Sequence, residues 1–212
     1  LILNNNNIED IASLQKLKAL NTLVLSHNQI SSLGKSLHTL SALSKLSISH
    51  NKLSTIEGCL KKCYELTELR INHNKLTSLP ADLVHNGKLK ILDAGGNMFH
   101  SLKDVEVLKE MAFLRNLNLG GSPLSKQEDY KQQVLALAPQ LEILDGHRIV
   151  PSDRKKKLKR LRTREGEEEA GGAPRKIRDP KGKDGHRRFE AAAAGPAADD
   201  DAGEAGEAGK AK

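Results

Sequence analysis

Asparagine recurs along this chain at a nearly fixed interval, with successive steps of 22, 23, 23 and 23 residues. Each copy occupies the same frame, Leu-x-x-Leu-x-Leu-x-x-Asn-x-Leu/Ile, as in Leu66 to Leu76 (LTELRINHNKL). A fixed period of this length indicates one small structural unit per repeat, with the units stacked on one another. The five asparagines are Asn6, Asn28, Asn51, Asn74 and Asn97.

The Leu-x-Leu part of the frame alternates apolar and polar residues, which predicts a short strand with one face toward the core. Such strands are too short to be stable alone, so we expect them to pair in a parallel sheet at a spacing of about 4.8 Å. The asparagine amide can satisfy backbone groups that the following turn would otherwise bury unpaired. A weaker copy, Leu114 to Leu124, carries Ser122 at this position, and we expect the ladder of asparagines to weaken there.

The segments that return from one strand to the next carry apolar residues at spacings of three and four, which predicts short helices on the outside of the coil. The return from Leu79 to Leu89 is less regular, because Pro80 follows its first leucine and Asn86 takes a position that is apolar in other returns. We therefore expect a looser or shorter helix there.

The frame resembles the signature of the leucine-rich-repeat family, and specifically its short intracellular class with repeats of 22–23 residues. That class includes a protein phosphatase 1 regulatory subunit, a spliceosomal subunit and an axonemal dynein light chain. The stretch Tyr130 to Ile149 is similar to the C-terminal cap of this class, which covers the apolar end of the last repeat. The positions that match the cap are Tyr130, Val134, Pro139, Leu141, Leu144, Asp145 and Gly146.

The resemblance implies an α/β fold, a leucine-rich-repeat solenoid with a curved parallel sheet inside and short helices outside. We predict about five to six repeats over residues 1–124, a C-terminal cap over 125–150 and a disordered charged tail over 151–212. The tail has few large apolar residues and cannot offset its conformational entropy by burial. Because Leu1 already lies in a repeat strand, we expect further repeats before it and a sticky edge at this strand.

The two cysteines are a weak metal signal, because no second pair of ligands accompanies them. Cys63 aligns with leucines of other repeats, so we expect it to be buried, whereas Cys59 aligns with Ser36 and is expected to be more exposed. We predict no metal and no cofactor. The chain also lacks a nucleophile elbow and a glycine-rich phosphate loop, so we predict that it is not an enzyme.

Histidine also recurs, at the position just before three of the asparagines. Three imidazoles in a row could bind a metal or sense pH. We favour the simpler interpretation that they are a common surface variant of the repeat. The three residues are His27, His50 and His73.

The charge of residues 1–150 is nearly balanced, with 17 Lys and Arg against 14 Asp and Glu, so the repeats carry no fold-wide nucleic-acid footprint. No apolar run is long enough to cross a membrane, and Asn-x-Ser/Thr is absent despite the many asparagines. We expect an intracellular monomer, nuclear or cytoplasmic, that does not bind membranes.

The tail begins with a basic run, Arg154 to Arg164, that holds eight basic residues in eleven. It fits a lysine-rich nuclear-import address, which we favour over a plain solvated extension. Binding of RNA or of an acidic protein is a third interpretation, and the nucleic-acid prediction is confined to this tail. The residues of the import run are Arg154, Lys155, Lys156, Lys157, Lys159 and Arg160.

Binding residues of a solenoid usually lie on the face of the sheet that points away from the core, the concave face in the resemblance, which we call the open face. Its middle strands carry both signs of charge, which suits a polar protein surface or an amphipathic helix better than a phosphate backbone. The alternative is a plain solvated sheet with the binding site on other repeats. The candidate partner-binding residues are Thr22, Val24, Lys45, Ser47, Glu68, Arg70, Ile91, Asp93, Asn116 and Asn118.

These patterns predict a non-catalytic scaffold that binds a partner protein on the open face. One alternative is a regulatory subunit of a protein phosphatase 1-like enzyme, although the open face has no aromatic anchor and the tail has no Arg/Lys-x-Val/Ile-x-Phe motif. Further alternatives are an RNA-associated role and a role with dynein or microtubules.

Overall fold

Each Leu-x-Leu segment forms a short strand, and the strands pair in the order in which they occur along the chain. The computed structural model describes residues 1–154, in which neighbouring strands are parallel from the first to the sixth, and the last pair is antiparallel. Leu1 to Leu3 adds a further parallel bridge, between Ile2 and Val24. The strands are β1 (Thr22–Val24), β2 (Lys45–Ser47), β3 (Glu68–Arg70), β4 (Ile91–Asp93), β5 (Asn116–Asn118), β6 (Ile143–Leu144) and β7 (His147–Arg148).

The register places equivalent residues of successive repeats side by side. The central leucine of each strand from β1 to β5 is buried, while its two neighbours are half-buried or exposed. Because side chains alternate across a strand, the leucines form one inner row and the flanking residues form the open face. The inner row is Leu23, Leu46, Leu69, Leu92 and Leu117.

The predicted ladder of asparagines is present, and it joins each repeat to the one before. Asn74 accepts the N–H of Leu53 at 3.1 Å and donates to the carbonyls of Ile48 and Ile71, both at 2.9 Å. Asn28, Asn51 and Asn97 make equivalent contacts. At Ser122 the hydroxyl donates to Leu119 of its own repeat at 2.6 Å. The ladder therefore weakens at Ser122, as the shorter side chain predicts.

The return segments are less helical than their spacing predicts. Ala12–Lys16, Ala81–His85, Leu102–Glu110 and Leu124–Lys126 are 3₁₀ helices, whereas the returns between β1 and β2 and between β2 and β3 are built from turns. The prediction of helices in those two returns was wrong. A repeat of 23 residues leaves few residues for the return, and turns and 3₁₀ segments cover more distance per residue than an α-helix.

The return that contains Asn86 holds a short 3₁₀ helix. Its 3₁₀ helix, Ala81–His85, has the same five-residue length as Ala12–Lys16. Asn86 is buried, and its amide donates to the carbonyls of Leu60 at 3.0 Å and Cys63 at 2.9 Å. These bonds to the preceding repeat replace apolar packing at this position. The helix is shorter than Leu102–Glu110, in line with the predicted shorter helix, but it is as long as Ala12–Lys16.

Both cysteines are buried, and Cys59, at 6% exposed against 0% for Cys63, is the more exposed of the two by a small margin only. Its thiol lies in the core and donates to the carbonyl of Glu57 at 3.4 Å. Burial raises the pKa of both thiols, that of Cys63 to about 11, and the charge of Asp82 adds to the effect at Cys59. Neither thiol is therefore activated toward oxidation or metal binding at neutral pH.

The end of the repeat array consists of a helix, a strand and an Asp-Gly turn. The helix α1 (Tyr130–Leu137) precedes β6, and the chain reverses at Asp145 and Gly146 into β7. The Asp145 carboxylate accepts the N–H groups of Leu119 at 2.8 Å and Gly120 at 3.0 Å. Asp145 therefore satisfies backbone groups of the last full repeat.

Arg154, the first residue of the predicted import run, contacts the cap. Its guanidinium donates to the carbonyls of Pro139 and Leu141, each at 2.8 Å. The other import residues and the predicted disorder of the tail beyond residue 154 lie outside the described residues. Within residues 1–154, no helix has the length and apolar character needed to cross a membrane.

Candidate functional site

The ten residues predicted as partner-binding fall into two rows on the open face. The register of the parallel strands aligns Thr22, Lys45, Glu68, Ile91 and Asn116 in one row. It aligns Val24, Ser47, Arg70, Asp93 and Asn118 in the other row. The frame of the repeat was therefore sufficient to identify which residues share this face.

A three-residue charge cluster lies at the centre of β2 and β3. Arg70 Nη2 lies 2.6 Å from Glu68 Oε1, and Lys45 Nζ lies 3.7 Å from Glu68 Oε2. The Glu68 side chain is 16% exposed, whereas those of Lys45 and Arg70 are 59% and 55% exposed. One sheltered carboxylate is thus shared by two cations that extend into solvent.

Asp93 is next to Arg70 in the register, but its carboxylate contacts amides. Its Oδ2 accepts the Asn72 side-chain N–H at 2.8 Å, and its Oδ1 accepts that of Asn118 at 2.9 Å. Asn118 in turn accepts the backbone N–H of Gly120 at 3.0 Å. The two acidic residues of the face are therefore held in separate networks of different chemistry.

A shallow depression of about 330 Å³ lies over β1, β2 and β3. Val24 lines the depression from β1 with an aliphatic side chain, and Glu68 and Arg70 line it from β3. Ser47 lies between them, with its hydroxyl 2.8 Å from that of Ser26. The floor is closed by strand leucines, so a ligand here would contact side chains of three successive repeats. The lining residues are Thr22, Leu23, Val24, Lys45, Leu46, Ser47, Glu68 and Arg70.

Sequence reasoning left Asn72 out of the candidate set, although the structure makes it the partner of Asp93. Its position, one step past the strand, follows from the frame, but its bond to the next repeat could not be inferred. The exposed aromatics were also missed, because they lie at unspecified positions of the returns. Tyr64 is 55% exposed and Phe113 is 60% exposed, and neither belongs to the open face.

The three histidines form a stacked ladder at the turn that follows each strand. Ring centroids are 4.2 Å apart for His27 and His50, and 4.3 Å apart for His50 and His73. Each has a φ between 52° and 57°, a left-handed conformation that Asn5 adopts in the first repeat and Gly96 in a later one. Slight desolvation of this exposed ring, followed by the charges of the two flanking rings, lowers the pKa of His50.

No group of three or more metal-binding side chains is assembled anywhere in residues 1–154. The three histidines are exposed and lie in a turn that tolerates positive φ. Gly96 leaves the space that the last ring uses, because a Cβ there would lie 2.7 Å from His73 Nδ1.

Comparisons with known structures support the architecture. A leucine-rich-repeat protein of Leptospira interrogans superposes with a TM-score of 0.61 and 28% identity, covering 68% of this chain and 36% of that chain. The Drosophila melanogaster SNF/U2A' complex superposes with a TM-score of 0.52 and 24% identity, covering 81% of this chain and 86% of that chain. The second likeness concerns the fold alone.

Two curated relatives share part of the sequence. U2 small nuclear ribonucleoprotein A' of Eremothecium gossypii is 36% identical over 64 residues, which is 30% of this chain and 27% of that protein. Dynein axonemal assembly factor 1 of Peromyscus californicus is 37% identical over 78 residues, which is 35% of this chain and 12% of that protein. The matched segments thus span less than a third of either relative.

The repeats themselves match family descriptions over most of the chain. A leucine-rich-repeat profile matches residues 49–172, and a second one matches residues 1–53. The first match alone spans more than half of the 212 residues. The protein therefore belongs to the leucine-rich-repeat family.

Proposed function

We propose that this chain is a non-catalytic scaffold that binds a partner protein on its open face. The depression over β1 to β3 is the observation that carries this proposal, because it combines an aliphatic wall with two exposed cations. Solenoid repeats characteristically use the outward face of the sheet as an extended binding surface. We further propose that the protein acts as an intracellular monomer, in the nucleus or the cytoplasm.

The different roles of the buried and the exposed residues within each strand support the same proposal. The inner leucines are buried and hold the repeats together, whereas the open-face residues contribute little to the core. Their identities can therefore be set by a partner without loss of the fold. Backbone hydrogen bonds between adjacent strands make the face a rigid platform, which lowers the entropic cost of binding.

An assembly role in a ribonucleoprotein or a dynein complex is the second candidate. It is supported by the sequence shared with the U2 protein and with the dynein assembly factor. If RNA contact through the basic tail dominates, binding will fall steeply with salt and will be lost when residues 154–164 are deleted. The phosphatase-subunit alternative stays a prediction.

Two valines provide a matched test of the open face. Val24 lines the depression, whereas Val84 is 44% exposed on the return helix Ala81–His85. The full chain, tagged and incubated in cell extract, would capture its partner in both wild-type and Val84→Gln forms, whereas Val24→Gln would capture markedly less. Equal capture by both variants, or a selective loss with Val84→Gln, would overturn the proposal. Circular dichroism of each variant verifies that the fold is retained.

A further inference from the structure

We infer that the partner presents an acidic segment with an aliphatic side chain to the open face, and that Lys45 and Arg70 receive its carboxylates. This inference rests on the proposed function and specifies the chemistry of the partner. A count of residues makes the centre of the face neutral, with Lys45 and Arg70 against Glu68 and Asp93. In the structure, however, the two cations are more exposed than Glu68, and the two acidic residues contact different groups.

The two carboxylates are already engaged within the protein. Glu68 is sheltered and contacts both cations, and Asp93 accepts hydrogen bonds from Asn72 and Asn118. Asp93 also accepts the backbone N–H of Gly95 at 3.4 Å, so three of the roughly four acceptor sites of its carboxylate are used within the protein. Neither acidic group is therefore well placed to recruit a basic ligand.

The two cations extend outward from the same cluster. Their side chains are more than half exposed, and Glu68 contacts one terminal nitrogen of the Arg70 guanidinium. A guanidinium carries five N–H donors in a planar fork, so this contact leaves donors for a second carboxylate. Glu68 also orients the guanidinium, which reduces the entropy lost when a ligand binds. The surface offered to a partner is therefore positive.

The apolar side of the depression favours a partner that also presents an aliphatic side chain. Val24 lines the same depression as the two cations, with Ser47 between them. An aliphatic side chain packed on Val24 would place flanking carboxylates toward β2 and β3. Burial of one such side chain contributes more to binding than a single exposed ion pair does.

A protein segment fits this surface better than a nucleic acid does. Single-stranded nucleic acids bind where aromatic side chains stack on bases, and none of the ten open-face candidates is aromatic. Phosphates at a regular spacing would also approach Glu68 and Asp93, whose charges repel them. A carboxylate-bearing peptide can instead direct its charges to Lys45 and Arg70 alone.

The test uses the full chain, labelled with ¹⁵N, and three probes. These are a peptide of alternating glutamate and leucine, a peptide of alternating lysine and leucine, and single-stranded oligouridylate. Residue-specific shifts in ¹H–¹⁵N spectra separate binding at β1 to β3 from binding elsewhere, including the basic tail. The acidic peptide should shift amides of Val24, Ser47 and Arg70, with smaller effects from the other two probes at these positions.

Substitutions in the charge cluster should change the affinity for an acidic partner in one direction and the affinity for a basic partner in the other. Glu68→Gln keeps an oxygen for Arg70 but removes the competing charge, so the affinity for the acidic peptide should rise by about two- to fivefold. Arg70→Gln should lower it by a similar factor. Glu65→Gln is the matched control, because Glu65 pairs with Lys88 at 2.6 Å on the return side, away from the open face.

The outcomes separate this inference from the proposed function. A rise with Glu68→Gln, a fall with Arg70→Gln and no change with Glu65→Gln support an acidic partner. Weaker binding with Glu68→Gln, or shifts at β1 to β3 caused mainly by the lysine peptide or by oligouridylate, overturns it. If none of the three probes shifts these amides while Val24→Gln still abolishes capture of the natural partner, the open face is the binding site but the acidic inference is wrong.

Discussion

Arg70 and Glu68 lie two residues apart on β3, and Arg70 Nη2 is 2.6 Å from Glu68 Oε1. Residues at this separation point to the same side of a strand, so the pair is formed within a single repeat. Lys45 joins it from the neighbouring strand at 3.7 Å. Exposed ion pairs contribute less than about 1 kcal/mol to stability. The pair therefore affects the charge and rigidity of the open face more than the stability of the fold.

Loss of one member of the asparagine ladder should destabilise the protein severely. Asn74→Ala would leave the Leu53 N–H and the carbonyls of Ile48 and Ile71 without their side-chain partner, which costs about 2–4 kcal/mol. Ser122→Ala removes one bond within its own repeat and should cost about 1 kcal/mol. Urea unfolding of both variants measures the difference. Equal losses would show that the ladder does not couple adjacent repeats.

The fold was predictable from the sequence because leucine and asparagine recur in one frame. Each leucine fixes which side of a strand is buried, and each asparagine fixes where the turn lies, so the two open-face rows followed directly. The returns were harder to predict. Asn86 donates to carbonyls of the preceding repeat, and Cys59 is buried although its counterpart in another repeat is serine. Those contacts depend on residues of neighbouring repeats, so the sequence of a single repeat does not predict them.

The charge pattern of the candidate site was also only partly predictable. Lys45, Glu68, Arg70 and Asp93 were identified as one mixed-charge patch. The sequence could not show that Glu68 would be shared by two cations while Asp93 bonded two amides. Which neighbour each carboxylate contacts depends on the direction of its side chain. That direction is set by the rotamer, which packing selects.

Stability should decrease as the pH falls through the ordinary histidine range. The pKa of His50 is lowered in the folded protein, so the unfolded chain binds protons more readily. The resulting loss begins near the ordinary value of 6.5 and is complete below the lowered pKa. His50→Asn should reduce this slope, because asparagine tolerates the positive φ without titrating. Urea unfolding at pH 7.5 and pH 5 measures it, and an unchanged slope would contradict the prediction.

Asp104 should also make the stability of the fold depend on pH, in a more acidic range than His50 does. Its burial opposes ionisation, but hydrogen bonds from the N–H groups of Ser101 at 2.8 Å and His100 at 2.7 Å outweigh it and lower the pKa. This stabilisation is present above the ordinary value of 3.8 and is lost as the pH falls through the lowered pKa. Asp104→Asn should cost about 1 kcal/mol at pH 7, as loss of a helix cap does.

The control for Asp104 is the same measurement at low pH. Below pH 3.8 the difference between wild type and Asp104→Asn should begin to shrink, because the carboxyl of the unfolded chain binds a proton there before the native carboxyl does. A difference that is the same at pH 7 and pH 3 would mean that the side chain acts through its shape and not through its charge.

The hydroxyl of Tyr130 is not required for the cap. It is buried and lies close to the Asp145 carboxylate, but within residues 1–154 it makes no hydrogen bond of standard length and angle. Burial, followed by the charge of Asp145, raises the pKa of Tyr130. Tyr130→Phe removes an unsatisfied polar atom and keeps the ring, so stability should be unchanged or slightly higher. A loss of more than about 1 kcal/mol in thermal or urea unfolding would show that the hydroxyl is bonded.

The central claim is that the partner sits on the open face, and photo-cross-linking tests it most directly. A photoreactive phenylalanine derivative would replace Ser47, which lines the depression, or Lys88, which is exposed on the return side. The full chain would be irradiated in cell extract, and the cross-linked product identified by mass spectrometry. We expect one partner protein to be cross-linked from position 47 and not from position 88. Cross-linking of that protein from position 88 alone would contradict the account.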